Sequence, residues 1–272
     1  MQTFNAITSR IFDVVLAPFG HGAAWFDLLL WPILAGVVAL LIYKAVSNQA
    51  GIAAAKKRIV VHLLEVVIYR ENVLGVLGST ARGLAQNARY LGYNVLPMLI
   101  MFVPMTIILV QIVAHYAYAP LQRGDVQLLE VTLAPGAPGG ARAVTARFPE
   151  QIAVQAGPVR TADGPVFWRL EMLEDGDHTI DLTINGETEQ KIVAVGDGPR
   201  KIPVLRTRTW EALLYPGEAA LPSGSSFESI RLRTPERNLR PFPSGEGGIL
   251  FWFFAASLVA GLLLRKRLGV TL

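Results

Sequence analysis

The sequence predicts an integral membrane α-helical protein, three transmembrane helices with a cytoplasmic helical hairpin, joined to an extracytoplasmic β-sandwich-like domain. Three observations predict it. Of 272 residues, 52% are hydrophobic and only 17% charged, against about 25% charged in an ordinary soluble domain. Three apolar stretches are long enough to cross the roughly 30 Å hydrocarbon core of a bilayer. Between the second and third, the composition changes to prolines, glycines and short alternating runs, the pattern of a small all-β domain.

Residues 1–22 carry Phe4, Ile7, Ile11, Val14, Val15 and Phe19 near helical spacing, with Thr8, Arg10 and Asp13 between them. The stretch is too short and mixed to span and lacks the leader and cleavage site of a signal peptide. An interfacial amphipathic helix is expected, with a disordered lead-in as the alternative. The first span, 23–44, has Trp25, Trp31 and Tyr43 near its ends and Asp27 near its start, aromatic edges that suit the membrane interface. Residues 45–92 contain no proline, and Ile52, Val60, Leu63, Leu64, Val67 and Ile68 fall mostly on one helical face. Leu74, Leu77, Leu84 and Ala88 mark a second helix after a break near Arg70–Gly75, so a helical hairpin is expected.

The second span, 93–118, holds no charge, and Thr106, Gln111 and His115 interrupt its apolar run. In 119–246, strands are expected at Val126–Leu133, Ala143–Phe148, Val166–Leu173, Thr179–Ile184 and Gln190–Val195. Asn185-Gly186 is a strong two-residue hairpin signal, and short strands with regular turns argue a β-sandwich. Residues 197–246, rich in proline, are expected to wrap that sandwich loosely. The third span, 247–264, runs into the basic tail 265–272 with Arg265, Lys266 and Arg267.

Basic residues collect in the cytoplasmic loops of membrane proteins. The loop between spans one and two holds Lys44, Lys56, Lys57, Arg58, Arg70, Arg82 and Arg89 against only Glu65 and Glu71, whereas residues 119–246 have a net charge of −3. The hairpin and C-terminus are therefore expected in the cytoplasm, and the N-terminus and β-rich domain outside, in a multi-pass protein of the inner (plasma) membrane. The pI near 9.5 is this bias rather than the footprint of a sequence-specific nucleic-acid binder. The hairpin's basic face is expected to be solvated, with contact to anionic lipid or ribosomal RNA as the alternative.

No catalytic constellation emerges. The absence of cysteine excludes disulfides, thiolate nucleophiles and cysteine-held metal centres. Four histidines leave little for a metal site. There is no G-x-S-x-G elbow, phosphate-cradling glycine loop or paired histidine spacing. Asp175–Asp177 has the composition of a calcium loop without its spacing, so it reads as a turn and His178 as an exposed turn residue. Phe167 and Trp168 read as sandwich core. An enzyme is not expected, and neither is a cofactor. Asp27 and His115 fall at similar depth near the outer ends of spans one and two. An acid at that depth needs a partner or headgroup water. Both alternatives, the Asp27–His115 pair and solvated Asp27, stand.

At the start of span two the chain reads Asn94-Val95-Leu96-Pro97-Met98-Leu99-Ile100-Met101, then Phe102-Val103-Pro104. This motif, with Pro97, Met98 and Pro104, together with the order span, cytoplasmic hairpin, span, outer segment, span, resembles the YidC/Oxa/Alb membrane insertase superfamily. The likeness is to the three-span branch that includes the insertase subunit of the ER membrane complex. Span one departs from the bacterial pattern in having no basic residue before Lys44. The resemblance implies a groove between the spans, with a locally thinned bilayer, through which polar segments of client proteins cross. Its polar groups here are Asn94, Thr106 and Gln111, each of which has an interhelical or local hydrogen bond as its alternative role. Two functions are then expected to compete: an insertase-like or chaperone-like factor for client membrane proteins, and a structural subunit of an envelope complex whose β-domain binds an extracytoplasmic partner. Membrane lipid is a partner in both.

Overall fold

A computed structural model of the chain describes residues 8, 10–12, 24–68, 71–161, 164–197 and 201–270. The amphipathic helix expected over 1–22 lies outside the described residues except at 8 and 10–12, which are helical. The long helices are α1 (Ala24–Val46), α2 (Gln49–Ile68), α3 (Val73–Tyr116) and α4 (Gly245–Leu264). Of these, α1, α3 and α4 are long and apolar enough to cross a membrane. Neither α1 nor α4 has a distinct polar face along its middle, the signature of a helix surrounded by apolar matter.

The chain divides into two compact units: Leu29–Ile108 with Phe253–Leu272, which is helical, and Met1–Leu28 with Leu109–Trp252, which is β-rich and includes the adjoining helix ends.

In the helical unit, asparagines start both arms of the hairpin. The Asn48 and Asn72 side-chain oxygens accept from the backbone N–H of Gly51 at 2.8 Å and Gly75 at 3.0 Å, satisfying donors that the first helical turn leaves unpaired. The arms α2 and α3 run antiparallel. Buried Ser79 donates its hydroxyl to Glu65 Oε2 at 3.0 Å, Arg82 reaches the same carboxylate at 3.6 Å, and Lys56 lies 5.7 Å from the Tyr90 ring centre. The hydrogen bond with His62, followed by that from Ser79, holds the Glu65 carboxyl below its usual range. The second arm does not stop where the span begins. Helix α3 is 44 residues long and passes Pro97 and Pro104 without ending, as prolines in apolar helices are tolerated where neighbouring groups re-satisfy the backbone. Near the other helices, Gly36 of α1 lies against α4, where an added Cβ would come within 2.5 Å of the Ser257 carbonyl oxygen. Small residues at such crossings let backbones approach closely.

The β-rich unit contains β1 (Val126–Leu133), β2 (Thr145–Arg147), β3 (Ile152–Arg160), β4 (Val166–Met172), β5 (Gly176–Ile184), β6 (Glu187–Val195), β7 (Leu205–Thr207) and β8 (Phe227–Leu232). They form a five-stranded antiparallel sheet, β3-β4-β1-β8-β7, and a three-stranded one, β2-β5-β6. One core joins them, with Leu129, Val131, Trp168, Leu170, Phe227 and Ile230 from the larger sheet and Ile180, Leu182, Ile184 and Val193 from the smaller. The Asn185-Gly186 turn closes β5 onto β6 with Ile184 opposite Glu187, and both turn residues have positive φ, 48° and 84°, as a type I′ turn requires.

Three features differ from expectation. Residues 197–246 are not merely a wrap: they supply β7 and β8, and β8 lies inside the sheet beside β1. Strand β3 is also present, an edge strand mostly exposed. His178 is on β5, half-buried, its Nε2 2.9 Å from the Glu174 carbonyl oxygen. The β-unit also buries a charged lysine stem. Lys191 is fully buried and donates to Glu218 and the Pro203 carbonyl, while Arg206 pairs with Glu189 at 2.9 Å. Burial pulls the Lys191 ammonium below its usual range, and the Glu218 carboxylate opposes that pull.

Candidate functional site

Methionines at 98, 101 and 105 are spaced three and four residues apart, which places them on one face of α3. In the helical unit that face borders an open cavity of about 420 Å³. Helix α1 contributes Gly36, Ala39, Leu40 and Tyr43 to its walls, and α4 contributes Phe254, Ser257, Leu258, Gly261 and Leu262. Small residues, Gly36, Ala39, Ser257 and Gly261, share these walls with the larger ones. Methionine is unbranched and polarizable, and it suits surfaces that meet partners of varied shape.

The few polar groups in this wall are already engaged. The Tyr43 hydroxyl donates to Asn94 Oδ1, and Asn94 Nδ2 donates back to the Tyr90 carbonyl at 2.6 Å. Ser257 donates its hydroxyl to the Phe254 carbonyl at 3.1 Å. The cavity is therefore apolar in character, with one polar corner at Tyr43–Asn94.

The sequence-predicted residues distribute as follows. Asn94 and Met98 line the cavity. Pro97 is buried and Pro104 half-buried within α3. Thr106 is half-buried and outside the lining. Gln111 belongs to the β-rich unit, where it is almost fully buried. Asp27 and His115 are both buried in that unit too. Asp27 accepts a hydrogen bond from the Tyr116 hydroxyl, and His115 Nδ1 lies 2.7 Å from the Gln111 carbonyl oxygen, one turn back along α3. Tyr116 escapes sequence reading because a tyrosine at a span's end reads as an interfacial aromatic. The same holds for Tyr118, which donates its hydroxyl to Glu246, and for Trp252, which donates to the Leu28 carbonyl at 2.8 Å. Within the β-rich unit these bonds tie the ends of α1 and α4 and the residues that follow α3 to each other. Among the described residues no group of three His, Asp or Glu side chains is placed to hold a metal ion.

No protein-family model, curated protein or solved structure matches the chain.

Proposed function

We propose that this chain is a three-span inner-membrane protein that shelters apolar helices of client membrane proteins during insertion or assembly, in the manner of YidC/Oxa/Alb insertases. The observation that carries the reading is the methionine-lined cavity bordered by all three apolar helices. In a bilayer the hydrophobic effect does not drive an apolar helix into such a cavity, because lipid is equally apolar; close packing and lipid release do. Adaptable methionine walls favour many clients over one.

The hairpin supports the same reading. Leu63, Val67, Ile68, Leu74 and Leu77 are all at least 60% exposed, and the charge bias favours the cytoplasm over lipid for them. Exposed apolar surface of this kind marks an interaction site, suited to an unfolded apolar segment before it enters the membrane. The client then passes from the hairpin to the Tyr43–Asn94 corner and into the methionine face.

A second reading, an envelope subunit held by its outer domain, draws support from Trp210, which is 66% exposed on the β-unit. Depletion of the protein followed by quantitative proteomics of the membrane fraction separates the two. Loss of many small membrane proteins is the expected result, and loss of one complex alone refutes the client-handling reading.

A further inference from the structure

The β-unit has a second cavity, remote in chemistry from the methionine face. Glu130 of β1 stands opposite Arg231 of β8, and their neighbours Leu129, Val131, Ile230 and Leu232 all point into the core. Alternation therefore sends Glu130 and Arg231 to the outer face of the five-stranded sheet, and Arg233, two residues on, to the same face. There they wall a cavity of about 430 Å³ together with Tyr118 and Thr234. The Thr234 hydroxyl oxygen is buried and has no hydrogen-bond partner. Among the described residues neither guanidinium is held in an ion pair. The cavity thus combines two guanidinium groups outside any ion pair with one carboxylate.

Its place in the chain is specific. Tyr118 is two residues beyond the end of α3, and its hydroxyl is bonded to Glu246 in the first turn of α4. The cavity lies where the chain leaves one apolar helix and enters the next. If those helices span the bilayer, as proposed above, this is the depth of the outer leaflet's headgroups.

We propose that this pocket binds a phosphate ester carrying a primary amine, the chemistry of a phosphatidylethanolamine headgroup. Arg231 and Arg233 hold the phosphate oxygens, for which guanidinium donors are geometrically matched. Glu130 receives the ammonium. The pocket would then register the β-domain against the membrane surface. The inference rests on the three-span reading for the source of the ligand, but not for the phosphate chemistry.

The test uses the full chain purified in detergent. Retention of phosphatidylethanolamine, phosphatidylglycerol and phosphatidylcholine is read by native mass spectrometry, with soluble O-phosphoethanolamine as competitor. Wild type is expected to retain phosphatidylethanolamine preferentially. Arg231→Gln with Arg233→Gln is expected to lose about tenfold or more in retention, the scale of charge-assisted hydrogen bonds, with an unchanged melting temperature. Glu130→Gln is expected to keep phosphate binding and lose the preference for the amine. Displacement by O-phosphoethanolamine alone, also abolished in the double variant, assigns the same site to a soluble ester. Equal retention by wild type and double variant, or no discrimination among headgroups, overturns the proposal. Alkaline carbonate extraction of native membranes tests the spans separately: release of the protein would refute the three-span reading while leaving the detergent result standing.

Discussion

In the β-rich unit, Leu129, Val131, Ile180, Leu182, Phe227 and Ile230 are fully buried against one another; in the helical unit, Leu96, Leu99, Phe102, Leu258 and Leu263 are all more than half exposed. The two regions dispose of apolar surface in opposite ways. The sheets close on themselves, and the loss of apolar surface to water, about 25 cal/mol per Å², stabilises them from within. The helices close only partly, leaving an open cavity and a greasy perimeter, so their stability depends on what surrounds them. The lesson is that the β-domain is a self-sufficient body, whereas the helices form a surface awaiting lipid or another helix.

The strongest way to break that self-sufficiency is to strand a buried charge. Lys191→Ala leaves the Glu218 carboxylate unpaired at 3% side-chain exposure. Breaking such a pair costs about 3–5 kcal/mol, read as a lower urea midpoint by the fluorescence of buried Trp168. The double change Lys191→Met with Glu218→Leu is expected to cost far less than the sum of the single losses. A full additive loss would show that the two side chains act separately.

In the helical unit the sharpest point is Gly36. A Gly36→Leu side chain must displace the Ser257 backbone of α4, and overpacking of this kind costs about 1–3 kcal/mol. Thermal unfolding in detergent is expected to fall for Gly36→Leu and to change little for Leu263→Ala at the exposed perimeter. Equal effects would show that the helices hold no tight contact of their own.

A smaller effect is expected at the β5–β6 turn. Gly186→Ala puts a Cβ on a residue with φ of 84°, at a cost of about 1–2 kcal/mol. The smallest is electrostatic. A hydrogen bond from the Ser225 hydroxyl holds the Glu187 carboxyl below its usual range. An acid depressed in the folded state stabilises above its unfolded pKa and loses that contribution as pH falls through the folded value. Glu187→Gln is therefore expected to flatten the acid limb of the stability profile below the ordinary carboxylate range and to leave its shape near neutral pH unchanged.

Alternation and turn chemistry mark part of the β-unit in the sequence itself. Val126–Leu133 coincides with β1, and Asn185-Gly186 closes the β5–β6 hairpin, because both signals are local. Strand β3 stays hidden because seven of its nine residues are exposed and Gly157-Pro158 breaks the alternation, with one register shift before the pair and one across it. Strand β8 stayed hidden among prolines, since its inner position depends on β1 from a hundred residues earlier. Gly92, at the junction of hairpin arm and span, does not interrupt the helix, so the two are one continuous element. The composition and length of the apolar helices were plain, but not their cavity. Met98, Met101 and Met105 on one face are legible; that Gly36, Ala39 and Gly261 leave room opposite them is a matter of packing. The Glu130–Arg231–Arg233 cluster also depends on strand pairing that the sequence alone does not display.

Whether the helical unit's open face receives other apolar helices is read by a photo-crosslinking amino acid at Met101 in living cells, with one at Leu263 as the perimeter control. Crosslinks from Met101 to newly made membrane proteins of many sizes, lost when translation is blocked, are expected, with only lipid adducts from Leu263. A single crosslinked partner that persists through translational arrest would contradict that expectation.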